Sequence, residues 1–84
     1  MEQNLNQYRI FYAVAKSGSI SRASQMLYIS QPAVSKAVIK LEEELGAKLF
    51  DRNSRGVSLT FEGKILFEQV QTAFEAINAG EEKI

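Results

Sequence analysis

Apolar side chains recur at three- and four-residue intervals through most of the chain, and the polar residues that interrupt them mark where each element starts and stops. Leu5, Tyr8, Phe11, Tyr12, Val14 and Ala15 make one such stripe, which predicts an amphipathic helix capped by Asn4 and ended by Ser17 and Gly18. Ser19 or Ser21 can cap a short second helix with Ala23, Met26 and Leu27 on its inner side, closing near Tyr28 before Ile29 turns inward. Ser30 caps a third helix, and Pro32 costs nothing in its first turn because the first amides have no partner inside a helix. Val34, Val38, Leu41 and Leu45 form its buried stripe, and Gly46 ends it as a left-handed cap.

Beyond that glycine the period changes. Lys48 to Arg52 and Val57 to Thr60 are short β-capable runs, and Asn53, Ser54, Arg55 and Gly56 between them have the chemistry of a hairpin turn. Thr60 can then cap a last, long helix whose apolar stripe is Ile65, Leu66, Phe67, Val70, Ala73, Phe74 and Ile77. The expected architecture is mainly α: a winged helix-turn-helix of three helices and a two-stranded wing over residues 1–59, followed by a linker helix over 60–84. Nothing in the sequence stops that helix before Ile84, so the chain is expected to be a piece of a longer protein.

The outer face of the third helix is where chemistry is expected. At 100° per residue, Pro32, Ser35, Lys36 and Ile39 fall opposite the buried stripe. A hydroxyl, a long cation and two apolar groups sized for thymine methyls suit base edges in a major groove better than they suit water. Gln31, at the helix start, can pair with adenine through both arms of its amide.

Charge first opposes that idea and then supports it. The chain of 84 residues carries 10 Lys and Arg against 10 Asp and Glu, a net charge of zero. From Arg9 to Arg55, however, eight cations face four anions, whereas the segment from Thr60 onward has two cations and five anions. Attraction to phosphate is local, so the basic half is where a nucleic acid would sit.

Composition excludes other classes. With neither Cys nor His, the chain lacks the usual zinc and iron ligands and the commonest base and nucleophile, so no metal, no cofactor and no enzyme activity are expected. No apolar run reaches membrane-spanning length and no signal peptide opens the chain, which points to the cytoplasm.

Several motifs in fixed order then resemble a known family. Gly18-Ser19-Ile20-Ser21-Arg22-Ala23-Ser24, Ser30-Gln31-Pro32-Ala33-Val34-Ser35-Lys36, Leu41-Glu42, Leu45-Gly46, Leu49-Phe50-Asp51-Arg52 and Leu59-Thr60-Phe61-Glu62-Gly63 are similar to the N-terminal domain of LysR-type transcriptional regulators. The resemblance implies double-stranded DNA as partner, with Gln31, Pro32, Ala33, Ser35 and Lys36 at the major groove. It implies Arg55 in the flanking minor groove and Ser19, Ser21 and Arg22 at phosphates, with Ser30 beside them. It further implies a homodimer through the last helix, and a small-molecule effector held by a separate C-terminal domain. The dimer contacts would come from Leu66, Phe67, Val70, Ala73, Phe74 and Ile77.

This sequence departs from the family at three places. Lys36 stands where Arg is common, Ile39 where a polar residue is common, and Phe61 where Pro is common. Two further readings stay open. Arg52 can serve phosphate or an ion pair with Asp51 or Glu42, and the whole fold could dock a protein instead of DNA; Glu42, Glu43 and Glu44 are expected to form a solvated face at the far end of the third helix.

Overall fold

The computed structural model describes residues 4–84, in the order α1 (Leu5–Ser17), α2 (Ile20–Leu27), α3 (Gln31–Leu45), β1 (Phe50–Asn53), β2 (Gly56–Leu59) and α4 (Phe61–Glu82). The caps are those the polar punctuation predicts. Asn4 Oδ1 accepts from the Asn6 and Gln7 amides, Ser19 Oγ from Arg22, Ser30 Oγ from Ala33 and Thr60 Oγ1 from Gly63. Each satisfies a donor that the first helical turn leaves without a partner. Gly18 and Gly46 close α1 and α3 in the left-handed conformation.

Tyr28 does the same for α2, with φ 57°, and it is the only non-glycine residue at positive φ among those described. The motif is complete, because the Tyr28 amide bonds the Ser24 carbonyl and the Ile29 amide reaches it at 3.2 Å. Glycine usually fills this position, so the tyrosine holds a conformation that costs an L side chain on the order of 1 kcal/mol.

The core lies where α1, α2 and α3 meet. Phe11, Val14, Ala23 and Val34 are fully enclosed, with Ile10, Val38, Leu41, Leu49, Phe50 and Val70 around them. Phe11 and Phe50 touch at 5.3 Å between ring centroids, which joins the helical core to the wing. On α4, Phe67 stacks on Tyr12 and Phe74 meets the same ring edge-on. Tyr12 thereby ties α4 to α1 along two of its turns.

β1 and β2 are antiparallel, with Phe50 opposite Leu59 and Asn53 opposite Gly56, so Ser54 and Arg55 form the tip. The strands begin and end one or two residues from the bounds expected, a difference within ordinary fraying. The base of the hairpin is closed by two bonds from Thr60: its amide donates to the Leu49 carbonyl at 3.0 Å and its hydroxyl to the Lys48 carbonyl at 2.6 Å.

Four side chains depart from expectation. Met26 is 57% exposed, because the inner stripe of α2 runs through Ile20, Ala23, Ser24 and Leu27. Ser24 can be buried there because its hydroxyl donates to the Ser21 carbonyl at 2.8 Å. Ile29 and Leu45 lie at the edge of the core with over a third of their surface exposed, since each sits where a left-handed cap turns the chain outward. Glu42 is not solvated: its side chain is only 10% exposed, and its Oε2 accepts from the Leu49 and Phe50 amides at 2.8 and 3.4 Å.

Candidate nucleic-acid interface

α3 is positioned by its buried stripe. Val34, Val38 and Leu41 pack inward, which turns Gln31, Pro32, Lys36 and Ile39 outward and leaves Ser35 half-buried at the edge of the same face. Pro32, Ser35, Lys36 and Ile39 line one shallow groove, together with Lys40 and Glu43. Ile39 is 45% exposed at the middle of that groove, an apolar group that water does not favour.

The start of α3 is more specialised than its polarity alone suggests. Ser30 Oγ occupies the Ala33 amide at 3.2 Å and Pro32 has no amide to offer. Of the first three helical residues this leaves only Gln31 with an amide to offer, on a residue whose side chain is exposed. Ala33 is exposed next to them and keeps this end of the helix slim.

A second set of groups surrounds the start of α2. Ser19 Oγ accepts the Arg22 amide as the cap, which leaves its O–H able to donate, and Ser21 and Arg22 are exposed on the first turn. On the wing, Arg55 projects from the tip with its own amide held by Asn53 Oδ1 at 2.9 Å. Arg52 lies on β1, lining a groove with Val38, Ile39, Lys48 and Asp51 between α3 and the wing.

Among the described residues the one salt bridge joins Lys48 to Glu42, at 4.0 Å. Arg52 therefore makes no ion pair with Asp51 or Glu42, and among the described residues Arg22, Lys36, Lys40 and Arg55 are also uncommitted to a carboxylate. Lys40 was missing from the residues singled out by sequence. The signal was available, because a cation four residues beyond Lys36 recurs on the same side of a helix.

Glu43 shares the outward face rather than standing apart from it. It lies seven residues beyond Lys36, about 10 Å along the axis, so a polyanion can approach the first two turns of α3 more favourably than its end. Of the apolar residues on α4, Val70 is consumed by the chain's own core, and Leu66, Phe67 and Phe74 are half-buried. Ala73 and Ile77 remain exposed.

No helix among the described residues is long and apolar enough to cross a membrane, and no three His, Cys, Asp or Glu side chains cluster to hold a metal. The family model for bacterial regulatory helix-turn-helix proteins of the lysR family matches residues 5–64. An HTH-type transcriptional regulator of Sinorhizobium fredii, y4mQ, is 43% identical over 81 residues, which cover 96% of this chain and 27% of that protein. A probable RuBisCO transcriptional regulator of Cyanidioschyzon merolae is 50% identical over 64 residues, covering 76% of this chain and 21% of that protein. The chain thus spans about a quarter of the length of the curated relatives it matches.

Solved structures agree. The BenM DBD bound to catB site 1 DNA superimposes with a TM-score of 0.89 at 32% identity, covering 96% of this chain and 91% of that one. The CbnR DBD bound to DNA gives 0.85 at 30% identity, covering 96% and 93%.

Proposed function

The chain belongs to the lysR family of bacterial regulatory helix-turn-helix proteins, and from that membership we propose that it binds double-stranded DNA in a sequence-specific way, with α3 in the major groove and the wing in the flanking minor groove. One observation carries the reading: the first half of α3 presents Gln31, Pro32, Lys36 and Ile39 at the surface, with no ion pair among the described residues that claims them. Similarity to two DBD–DNA complexes supports it.

The roles divide by chemistry. Gln31 and Lys36 read base edges, Ile39 and Pro32 meet methyl groups and sugars, and Ser35 sits at the margin of that contact. Lys36 presents a point charge rather than the fork of an arginine, so it discriminates guanine less sharply. Arg22, Ser21 and Arg52 hold phosphates, and Arg55 enters the minor groove, where narrow A·T tracts deepen the negative potential. Ser19 and Ser30 act through the caps that fix these helix starts.

Two copies bind an imperfect inverted repeat, joined through α4. Among the apolar surface α4 leaves uncovered, Ile77, Ala73 and the outer parts of Phe74, Phe67 and Leu66 support that contact; Val70 is buried within one copy. The work is binding and positioning without catalysis, in the cytoplasm, as the DNA-binding unit (residues 1–59 with the linker helix 60–84) of a transcriptional regulator. A small-molecule effector would bind the C-terminal domain that family resemblance implies.

The experiment compares a duplex selected from random sequence with unselected DNA. Gln31→Ala and Lys36→Ala should weaken the selected duplex more than the unselected one, whereas Arg22→Ala should weaken both alike. Equal losses from all three would refute the division. Retention of a protein partner with no duplex bound would instead favour a docking role, the reading that exposed Ile39 and the neutral net charge support.

A further inference from the structure

We propose that the contact between Gly56 and the Gly18 carbonyl is what aims the wing: it bolts the hairpin to the turn before α2, so that Arg55 and the phosphate-holding start of α2 meet DNA as one rigid body. This rests on the DNA-binding reading above and names the residues that position its minor-groove contact.

The bolt has two parts. Val57 lies opposite Arg52 in the hairpin, yet its amide is turned away from β1 and donates to the Gly18 carbonyl at 3.1 Å. One residue earlier, Gly56 has φ 131°, and a Cβ placed there would stand 2.5 Å from the Gly18 carbonyl oxygen. Both the backbone angle and the space therefore demand glycine. Gly56 also directly follows Arg55, so the bolt acts next to the tip, while at the opposite end of the hairpin Glu42 of α3 accepts the Leu49 and Phe50 amides.

The receiving turn is itself fixed. The Ser17 hydroxyl donates to the Ala13 carbonyl at 2.8 Å and accepts the Ser19 amide at 3.4 Å, and Ser19 caps α2 through the Arg22 amide at 3.1 Å. The carbonyl that receives the wing thus lies one residue before the cap that orients Arg22. A two-stranded hairpin has little rigidity of its own. Pinned at both ends, it carries its tip cation at a set distance from the phosphate anchor, and a charge or hydrogen bond held in place loses less freedom on binding.

The test is a double-mutant cycle on a selected duplex with A·T flanks, using the wild-type chain, Arg55→Ala, Gly56→Ala and the double variant. Arg55→Ala should weaken the wild-type chain about tenfold or more. Gly56→Ala should cost a similar factor, and in its background Arg55→Ala should cost less than about twofold, because the guanidinium no longer reaches its groove. Gly46→Ala is the control for backbone strain: Gly46 has φ 69° with nothing within 4 Å of an added Cβ, takes no part in the contact between Gly18 and the hairpin, and should leave the full Arg55 effect in place.

If Arg55→Ala costs as much with Ala at position 56 as with Gly, the bolt is overturned while the DNA reading stands. If Arg55→Ala costs nothing in the wild-type chain, the bolt falls together with the wing's place in that reading. Should melting curves show that Gly56→Ala does not fold, Val57→Pro replaces it in the cycle, since it removes the amide bonded to Gly18, and the same outcomes decide.

Discussion

Removing the Glu42 carboxylate should cost far more than removing the lysine paired with it, although a charge-based reading of the sequence puts Glu42 on a solvated face. Glu42 Oε2 accepts the Leu49 amide at 2.8 Å and the Phe50 amide at 3.4 Å, where the chain leaves α3 and enters the wing. Leu49 is 1% exposed, so its amide has no water to turn to. A hydrogen bond to a charged acceptor contributes about 1.5–3 kcal/mol, and the longer second bond adds less. Glu42→Ala should therefore destabilise the fold by about 2–3 kcal/mol, a drop in Tm of roughly 10–20 °C for a domain of this size. Glu42→Gln keeps an acceptor oxygen but not the charge, and should cost about 1 kcal/mol. Lys48 approaches Glu42 at 4.0 Å with its side chain 80% exposed, so Lys48→Ala should stay within about 0.5 kcal/mol once screening by water is counted. Thermal and urea melts followed by circular dichroism measure all three. Equal losses from Lys48→Ala and Glu42→Ala would show that the ion pair carries the effect and would refute the argument from backbone amides.

Tyr28→Asn should stabilise the fold by about 0.5–1 kcal/mol, because asparagine tolerates the left-handed backbone and the tyrosine ring is 94% exposed with little packing to lose; an unchanged or lower Tm would contradict this. Phe11→Ala empties the centre of the core against Phe50 and should cost about 3–5 kcal/mol, a large share of a total stability of about 4–12 kcal/mol, read as a large drop in Tm. Ile77→Asp should leave the fold intact and weaken self-association in sedimentation, whereas Val70→Asp should unfold the chain, since Val70 is buried within one copy and Ile77 is not. Affinity for the selected duplex should fall steeply as salt rises, and a flat response would exclude phosphate contact.

Much of this fold is legible in the sequence because its boundaries rest on local chemistry. A hydroxyl or amide before each helix and a glycine after α1 and α3 state where those elements begin and end without reference to anything distant. The stripe of α3 is legible for the same reason: three of its four members are buried, and the face opposite follows from geometry alone. What escaped depends on groups far apart in the chain. Glu42 is bonded seven and eight residues ahead and Gly56 is held by Gly18; Met26 is the local exception, since a bond from Ser24 to Ser21 three residues back lets a small polar residue take the inner stripe instead. Among candidate site residues, the exposure of Gln31, Pro32, Lys36, Arg22 and Arg55 could be anticipated. The burial of Val70 could not, because helical phase alone does not say which part of a long stripe α1 will cover.

A chain with zero net charge can still bind a polyanion tightly if its cations are free when the ligand arrives. In a protein laced with ion pairs, each phosphate contact would first have to break an internal bond, and the gain would be only the difference between the two. Here one pair is made among the described residues, and its carboxylate is principally engaged with backbone amides. Among the described residues Arg22, Lys36, Arg52 and Arg55 have no such internal competitor, whereas five of the ten carboxylates, from Glu62 to Glu82, lie along α4. The cost of neutral composition is thus borne by a helix that does not face the groove. Mixed charge along α4 limits non-specific association there, while the segment from α2 to the wing keeps the local field that draws phosphate.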